Sequence, residues 1–355
     1  MPAKPASAPP TPPADPASAS SAASADARPV MPVVDAGAAP LIAWALVDAD
    51  GTVLAEHESA RPFYAASTIK LHVLLAALRA VDAGDIELDA TIPATRTFGG
   101  VDGSAFTLAG DHLDPTHPAD GTPVSVRELL VRMIDRSSNE ATNTVIDLVG
   151  LDAVEAVIEE LGLRATRAER RIGDAAAIAR GFTNETCAAD LAETMRRIVR
   201  REAGVPAGPC SKAGLVAGEL GTTAETETFV GPGTTAETET FVGPGTPRGS
   251  GAPWGPKAPA RKPGPGLLSP ASTGLALDAL RAQRMRVILD VLPEGLDAGS
   301  KSGEVDGFRH DVAFIGDPCS EDLRCLAVMT SGLTLAEADD TIRRTARELL
   351  GNLAD

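Results

Sequence analysis

Strand-like segments lie towards the two ends of this 355-residue chain, and helical periodicity fills the stretch between them. Leu41 to Val47 and Thr52 to His57, joined by the turn Asp48-Ala49-Asp50-Gly51, read as a hairpin. Gly299 to Gly303, Arg309 to Ile315 and Arg324 to Thr330 read as three further strands near the other terminus. Segments so far apart in sequence share a core most simply as one antiparallel sheet, with the chain between them set aside as a lobe of its own. The expected class is therefore α/β (α+β): an antiparallel sheet flanked by helices, plus an inserted all-helical lobe.

From Ser67 to about Val81 the apolar residues Ile69, Leu71, Val73, Leu74, Leu75, Leu78 and Val81 surround most of a helix, which predicts burial on nearly all sides. Residues 85 to 122 are turn-rich and read as irregular. Helical periodicity resumes over Ser125 to Met133 and Asn139 to Gly150, broken by the corner Asp135-Arg136-Ser137-Ser138-Asn139. It continues through Asp152 to Leu161, Thr186 to Arg200, Thr273 to Leu292 and a closing helix, Leu335 to Leu353.

Two segments do not fit a packed domain. Residues 1 to 38 are Pro, Ala and Ser with few large apolar side chains, too little to offset the entropy of ordering, and read as a disordered tail. Residues 201 to 269 are rich in Gly, Pro and Thr and contain the 12-residue string GTTAETETFVGP twice in tandem, at 221–232 and 233–244. Two short copies cannot stack into a solenoid core, so this is expected to be a low-complexity insertion. The remainder, 39–355, divides into a sheet lobe (39–65 and 270–355) and a helical lobe (66–200).

With 32 Lys and Arg against 49 Asp and Glu, the net charge of -17 repels polyanions, and nucleic acid is not expected as a partner. No run reaches the roughly 20 apolar residues of a membrane span, and no basic-then-apolar leader opens the sequence. A monomer in the cytoplasm is the expectation for the chain as written, with export requiring a different start. Four reduced cysteines are expected; an exported form would offer Cys319 with Cys325 and Cys187 with Cys210 as candidate pairs.

Three short strings carry the chemistry: Ser67-Thr68-Ile69-Lys70, Ser137-Ser138-Asn139 and Lys301-Ser302-Gly303. A serine hydroxyl is a poor nucleophile until a base lies within reach and donors await the oxyanion. Ser67 falls at a helix start, and Lys70, one turn on, shares its face, where desolvation lowers a lysine towards neutrality. Ser137 on the interhelical bend is placed to relay a proton, and Asn139 to bond Lys70 or a substrate amide. On the strand, Lys301 supplies fixed charge, Ser302 a donor for a carboxylate, and Gly303 close backbone approach. The N–H groups of Ser67 and Glu304 are the candidate oxyanion donors.

In these strings the chain resembles the penicillin-recognising serine hydrolases, most of all class A β-lactamases, over about 40–200 and 270–353. Ser67 and Lys70 match the family's Ser-x-x-Lys, Ser137-Ser138-Asn139 its Ser-Asp-Asn, and Lys301-Ser302-Gly303 its Lys-Thr-Gly. Two departures stand out: Ser138 replaces the usual Asp, and Gly173 stands where an asparagine follows the deacylating glutamate. The resemblance implies an acyl-enzyme on Ser67, with Glu169 (in Arg167-Ala168-Glu169) or else Asp174 activating the hydrolytic water. It implies a small-molecule substrate, a β-lactam or related amide or ester, and no cofactor. A D-Ala-D-Ala peptidase or esterase, and a sensor that stays acylated, are the alternatives. Asp111, His112, Asp114, His117 and Asp120 crowd one loop, but their spacing fits no zinc or calcium pattern, so a polar loop and no metal are expected. His310 is expected to be structural. Phe98 and Phe106 are candidates for the cleft mouth.

Overall fold

The structure is a computed structural model and describes residues 39–110, 113–200 and 267–351. The expected tail, the tandem repeat, Asp111, His112 and Cys210 lie outside the described residues.

Five strands form one sheet: β1 (Leu41–Asp48), β2 (Val53–His57), β3 (Ala298–Val305), β4 (Phe308–Ile315) and β5 (Arg324–Ser331). Their order is β3-β4-β5-β1-β2, antiparallel throughout, so the two ends of the chain meet where Leu46 of β1 faces Leu326 of β5. Alternation along each strand sends side chains to opposite faces. Val312, Phe314, Ala327 and Met329 join one core, and Ala313, Ile315, Leu326 and Val328 a second. Both faces being covered, β4 and β5 are buried along almost their whole length.

The longer helices are α1 (Lys70–Ala83), α2 (Val126–Asp135), α3 (Asn139–Val149), α4 (Leu151–Leu161), α5 (Ala188–Val199), α6 (Pro270–Arg281) and α7 (Leu335–Leu350). Ile342, Ala346 and Leu350 of α7 seal the second core, and Leu191, Met195 and Ile198 of α5 enter the first. Every residue of α1 from Lys70 to Leu78 is buried, as all-round apolar character requires. Ser125 and Ser138 cap α2 and α3, and Thr334 with Glu337 forms a capping box on α7. At Gly299 a Cβ would lie 2.7 Å from the Leu280 carbonyl carbon, so glycine is what lets the end of α6 rest on β3.

The structure corrects three expectations. The helix foreseen over Thr273 to Leu292 stops at Arg281, and a separate 3-10 turn follows at Ile288–Val291. The Asp311 carboxylate accepts from the N–H groups of Val287 and Ile288, both at 2.8 Å, and Gln283 Oε1 accepts from Met285 N, diverting these donors from a helix. The segment 85–122 is not wholly irregular: Thr91–Pro93 pairs with Pro123–Ser125, and Thr97–Gly99 with Ala105–Thr107. The last helix ends at Leu350.

Cys187 and Cys325 are buried thiols; burial pushes Cys187 up to about 12, and Cys325 also upward. Among the described residues no helix is long and apolar enough to cross a membrane.

Candidate active site

Ser67 sits in a one-turn 3-10 helix, Ala66–Ile69, that runs directly into α1. Ala66 before it has φ +47°, a left-handed conformation that costs an alanine about 1–3 kcal/mol and persists where surrounding bonds over-determine it. Here the flanks are held by Ala65 N on Asn184 O at 2.9 Å and by Thr68 Oγ1 on Ala65 O at 2.6 Å. The turn leaves Ser67 half-buried between buried neighbours.

Ser137 also has positive φ, +55°, at the bend between α2 and α3. The bend delivers its hydroxyl to two lysines. Lys70 Nζ donates to Ser137 Oγ at 3.0 Å, to Ser137 O at 2.5 Å and to Asn139 Oδ1 at 2.8 Å. Lys301 Nζ reaches the same Ser137 Oγ at 3.0 Å and turns back to Ser302 O at 2.6 Å. All three N–H bonds of the Lys70 ammonium are therefore spent on the corner, and none reaches Ser67.

Both lysines are fully buried, and among the described residues neither meets a carboxylate within ion-pair distance. Burial, and next the charge of Lys301, hold Lys70 well below the usual lysine range; Glu140 opposes them. Burial brings Lys301 down to about 7, against the pull of Asp311 and with the push of Arg309. Burial also raises Asp311, to about 6, although the Ile288 and Val287 amides favour its charged form. A lysine poised near neutrality is able to take up and give back a proton.

Strand β3 closes the site from the sheet side. A Cβ on Gly303 would lie 3.1 Å from Ala65 O, Ser67 N and Thr68 Cγ2, so the glycine brings the strand backbone against the Ser67 amide. Ser302 is buried, its hydroxyl 3.5 Å from Gln283 Nε2. Glu304 turns its carboxylate away to Arg309 at 2.9 Å, leaving its backbone as the part next to Gly303. His310, brought down to about 4 by burial, is neutral and bonds Tyr64 O at 2.9 Å; Tyr64 is the only tyrosine in the sequence. Thus β4 grips the segment that carries Ser67.

The structure does not join Glu169 to this cluster. Its carboxylate accepts from Thr183 N at 2.8 Å and faces Arg167 at 3.4 Å. Asp174 is consumed as well: one oxygen caps the short helix Ala175–Ala179 through Ala177 N, and the other accepts from Val101 N at 2.9 Å. The loop is instead fixed by carboxamides. Asn184 bonds the Arg170 backbone through both its oxygen and its nitrogen. Asn143 does the same for Ile172, at 2.8 and 2.9 Å. Asn143 is one turn from Asn139 on the same helical face, so the loop residue held beside the Lys70 partner is Ile172. Phe98 and Phe106 face one another at 6.2 Å across their hairpin, and Phe106 packs by Gly173 of this loop.

Two residues with clear parts in the arrangement, Glu140 and Asn143, are missed by motif reading. Their signal is a charged or amide group at the N-terminal turns of a helix whose neighbours Ala141, Val145 and Ile146 are core. Of the crowded polar loop, Asp114 pairs with Arg132 at 3.0 Å, and His117 is buried behind the corner. Among the described residues no His, Cys, Asp and Glu group is arranged to hold a metal ion.

Comparison with known proteins bears on the family and the fold. The family described as β-lactamase enzymes matches residues 33–208 and 265–353. A β-lactamase structure from Sphaerobacter thermophilus DSM 20745 is 25% identical, with TM-score 0.58, covering 88% of this chain and 90% of that one. An ancestral class A β-lactamase is 21% identical (TM-score 0.59; 88% and 94% covered) and the structure of PBP-A 20% identical (TM-score 0.57; 89% and 90%), likenesses that speak for the fold alone. No curated protein matches the chain. A match over most of the described residues, on a fold that brings the three motif strings to one serine hydroxyl, makes this chain a member of the β-lactamase enzyme family.

Proposed function

We propose that the chain is a serine hydrolase of the class A β-lactamase type that opens a β-lactam or related small amide or ester through an acyl-enzyme on Ser67. The observation that carries this reading is the Ser137 hydroxyl held by both Lys70 and Lys301 at 3.0 Å. With both lone-pair directions occupied, its own proton is free to point outward, towards a leaving nitrogen. Lys70 acts as base in its neutral form, in which it gives up one of its three donor bonds to the corner and the lone pair so exposed takes the Ser67 proton as the oxygen attacks the carbonyl. The proton passes through Ser137 to the departing nitrogen, and the C–N bond breaks to leave an ester on Ser67. The Ser67 and Glu304 amides receive the oxyanion. Two buried lysines without a carboxylate suit an anionic substrate, whose carboxylate Lys301 and Ser302 would hold.

The loop favours a second reading of the later step. With Glu169 and Asp174 both committed to backbone amides, no loop carboxylate stands ready to deprotonate water, so the acyl-enzyme is expected to persist. Mixing the protein with a chromogenic cephalosporin while following intact mass tests both. A stoichiometric burst with an adduct on Ser67 and slow subsequent release is the expected result. Continuous fast turnover without an adduct would support efficient hydrolysis, and no adduct with ester cleavage would point to the peptidase or esterase alternative.

A further inference from the structure

The departure at Ser138 raises a question of what pins the corner. Ser138 Oγ accepts from Ala141 N at 3.1 Å, capping α3, and donates to Glu140 Oε2 at 3.0 Å. Glu140 is wholly buried. Its Oε2 also accepts from Asp114 N at 3.3 Å, and Arg96 Nε lies 3.7 Å from Oε1, which has no hydrogen-bond partner. A carboxylate this buried is normally paired or absent. It stands immediately behind Ser137 and Asn139, the two residues that hold Lys70.

We propose that Glu140 is a positioning residue of this site: a buried carboxylate that pins the Ser137 to Asn139 corner from behind and sets the electrostatic field at Lys70. The hydroxyl at 138 and the carboxylate at 140 are bonded to each other, where the resemblance puts a single acidic side chain at the middle position of the motif. The pin keeps Ser137 in its left-handed conformation, which nothing in a serine favours on its own. The field is local. Lys70 is faced by Lys301 from β3, which disfavours its charge, and by Glu140 from α3, which favours it. Glu140 is in turn faced by Arg96, Asp114 and His117 from the 94–120 segment, with Arg132 of α2 bonded to Asp114 at 3.0 Å. Both ring nitrogens of His117 lack a hydrogen-bond partner, and among these groups Arg96, at 3.7 Å, is the cation within ion-pair distance of Glu140. Removing the Glu140 charge leaves Lys70 with Lys301 alone.

The inference draws on the acyl-transfer reading only for its rate readout, so it is tested first without substrate. In protein labelled on the lysine ε positions, with the Lys70 signal assigned by Lys70→Arg, the Lys70 titration is followed by NMR in the parent and in Glu140→Gln. The midpoint is expected to move to lower pH in Glu140→Gln; an unmoved midpoint overturns the field role. Should Glu140→Gln fail to fold, Glu140→Asp, which withdraws the charge by one methylene, is expected to shift the midpoint in the same direction.

The pin is tested by moving the carboxylate. Glu140→Thr is expected to slow acylation by a chromogenic cephalosporin about tenfold, as loss of a charge-assisted hydrogen bond implies. The double variant Ser138→Asp/Glu140→Thr, in which Asp caps α3 equally well, is expected to recover most of that loss and most of the lost thermal stability. A double variant no better than Glu140→Thr in either readout overturns the pin. A parent that forms no Ser67 adduct defeats the acyl-transfer reading, while titration and unfolding still decide this one.

Discussion

At the Ser67 cluster two buried lysines share one serine hydroxyl and, among the described residues, meet no carboxylate within ion-pair distance, whereas along residues 167–184 both acidic side chains, Glu169 and Asp174, meet a backbone amide. The first region holds charge that its own structure leaves unneutralised, and its backbone is bent into left-handed conformations at Ala66 and Ser137 to do so. The second is largely satisfied locally: Arg167 pairs with Glu185, Arg171 with Asp147, and the Asn143 and Asn184 amides close on the main chain, with the buried Arg170 Nε as the exception. Unspent polar capacity marks where a substrate is to be met, and satisfied capacity marks a scaffold.

The largest effect that sharpens this contrast is Ser67→Ala. It is expected to abolish the mass adduct and to lower acylation by about a thousandfold or more, since removing a nucleophile removes the covalent route. Retention of the adduct would place the reacting group elsewhere and dissolve the comparison.

Lys301→Met comes next. Losing a charged partner of Ser137 is expected to reduce acylation about 100-fold. The same change should stabilise the fold at pH 7, by about 3 °C in Tm or more, because an unpaired buried cation gives way to an apolar side chain. The pH dependence has a definite sign. Folding brings Lys301 from 10.5 to about 7, so between these values the unfolded chain holds the extra proton and stability rises with pH. Asp311, raised from 3.8 to about 6, acts oppositely and makes stability fall as pH climbs through that lower window. Lys301→Met should flatten the upper rise, leaving the share due to Lys70; thermal melts from pH 5 to 10 check it. An unchanged slope would mean that Lys301 is not the buried, destabilised ion described.

Gly303→Ala tests the closure of the sheet on Ser67. The new Cβ meets Ala65 O and Ser67 N at 3.1 Å, tight contacts with backbone that cannot yield as a side-chain tip can. A cost of about 1–3 kcal/mol is expected, seen as roughly tenfold slower acylation with little change in apparent affinity. Equal rates would show that β3 stands further from Ser67 N than the geometry indicates.

The contrast also explains what was legible. The hairpin of β1 and β2 and the all-round burial of α1 follow from local period and turn chemistry, and both are read directly. The break after Arg281 was not, because it is made by Asp311, a residue of β4 that captures two amides of the 282–291 segment after the chain has folded back. Ser67, Lys70, Ser137, Asn139 and Lys301 stand out because their spacing matches a motif, and the fold brings the lysines and the corner together. Glu140 and Asn143 carry no such label; their meaning depends on which face of α3 turns inward, a tertiary fact. Glu169 shows the converse case. Its place after an arginine suggested a part in catalysis, but the ladder between Arg167–Ala168 and Asn184–Thr186 ties it to Thr183, a pairing invisible in one dimension.

The smallest effect is therefore the most discriminating. Glu169→Gln keeps the shape of the side chain and an acceptor for Thr183 N, and loses only a half-exposed charge beside Arg167, a pair of the kind worth about 0–1 kcal/mol. Deacylation, followed as decay of the Ser67 adduct after excess substrate is removed, should change by less than about threefold, and Tm by little more than a degree. Asp174→Asn is the sterner control, because it weakens a helix cap and the Val101 contact together; its cost should appear in stability before it appears in the decay rate. If Glu169→Gln instead slowed the decay a hundredfold with Tm unchanged, the carboxylate would have to leave Thr183 and face Ser67 during the reaction. The loop would then be a working part of the site that rearranges once the acyl group is in place, and the division between a charged, unsatisfied site and a self-satisfied scaffold would hold only for the resting protein.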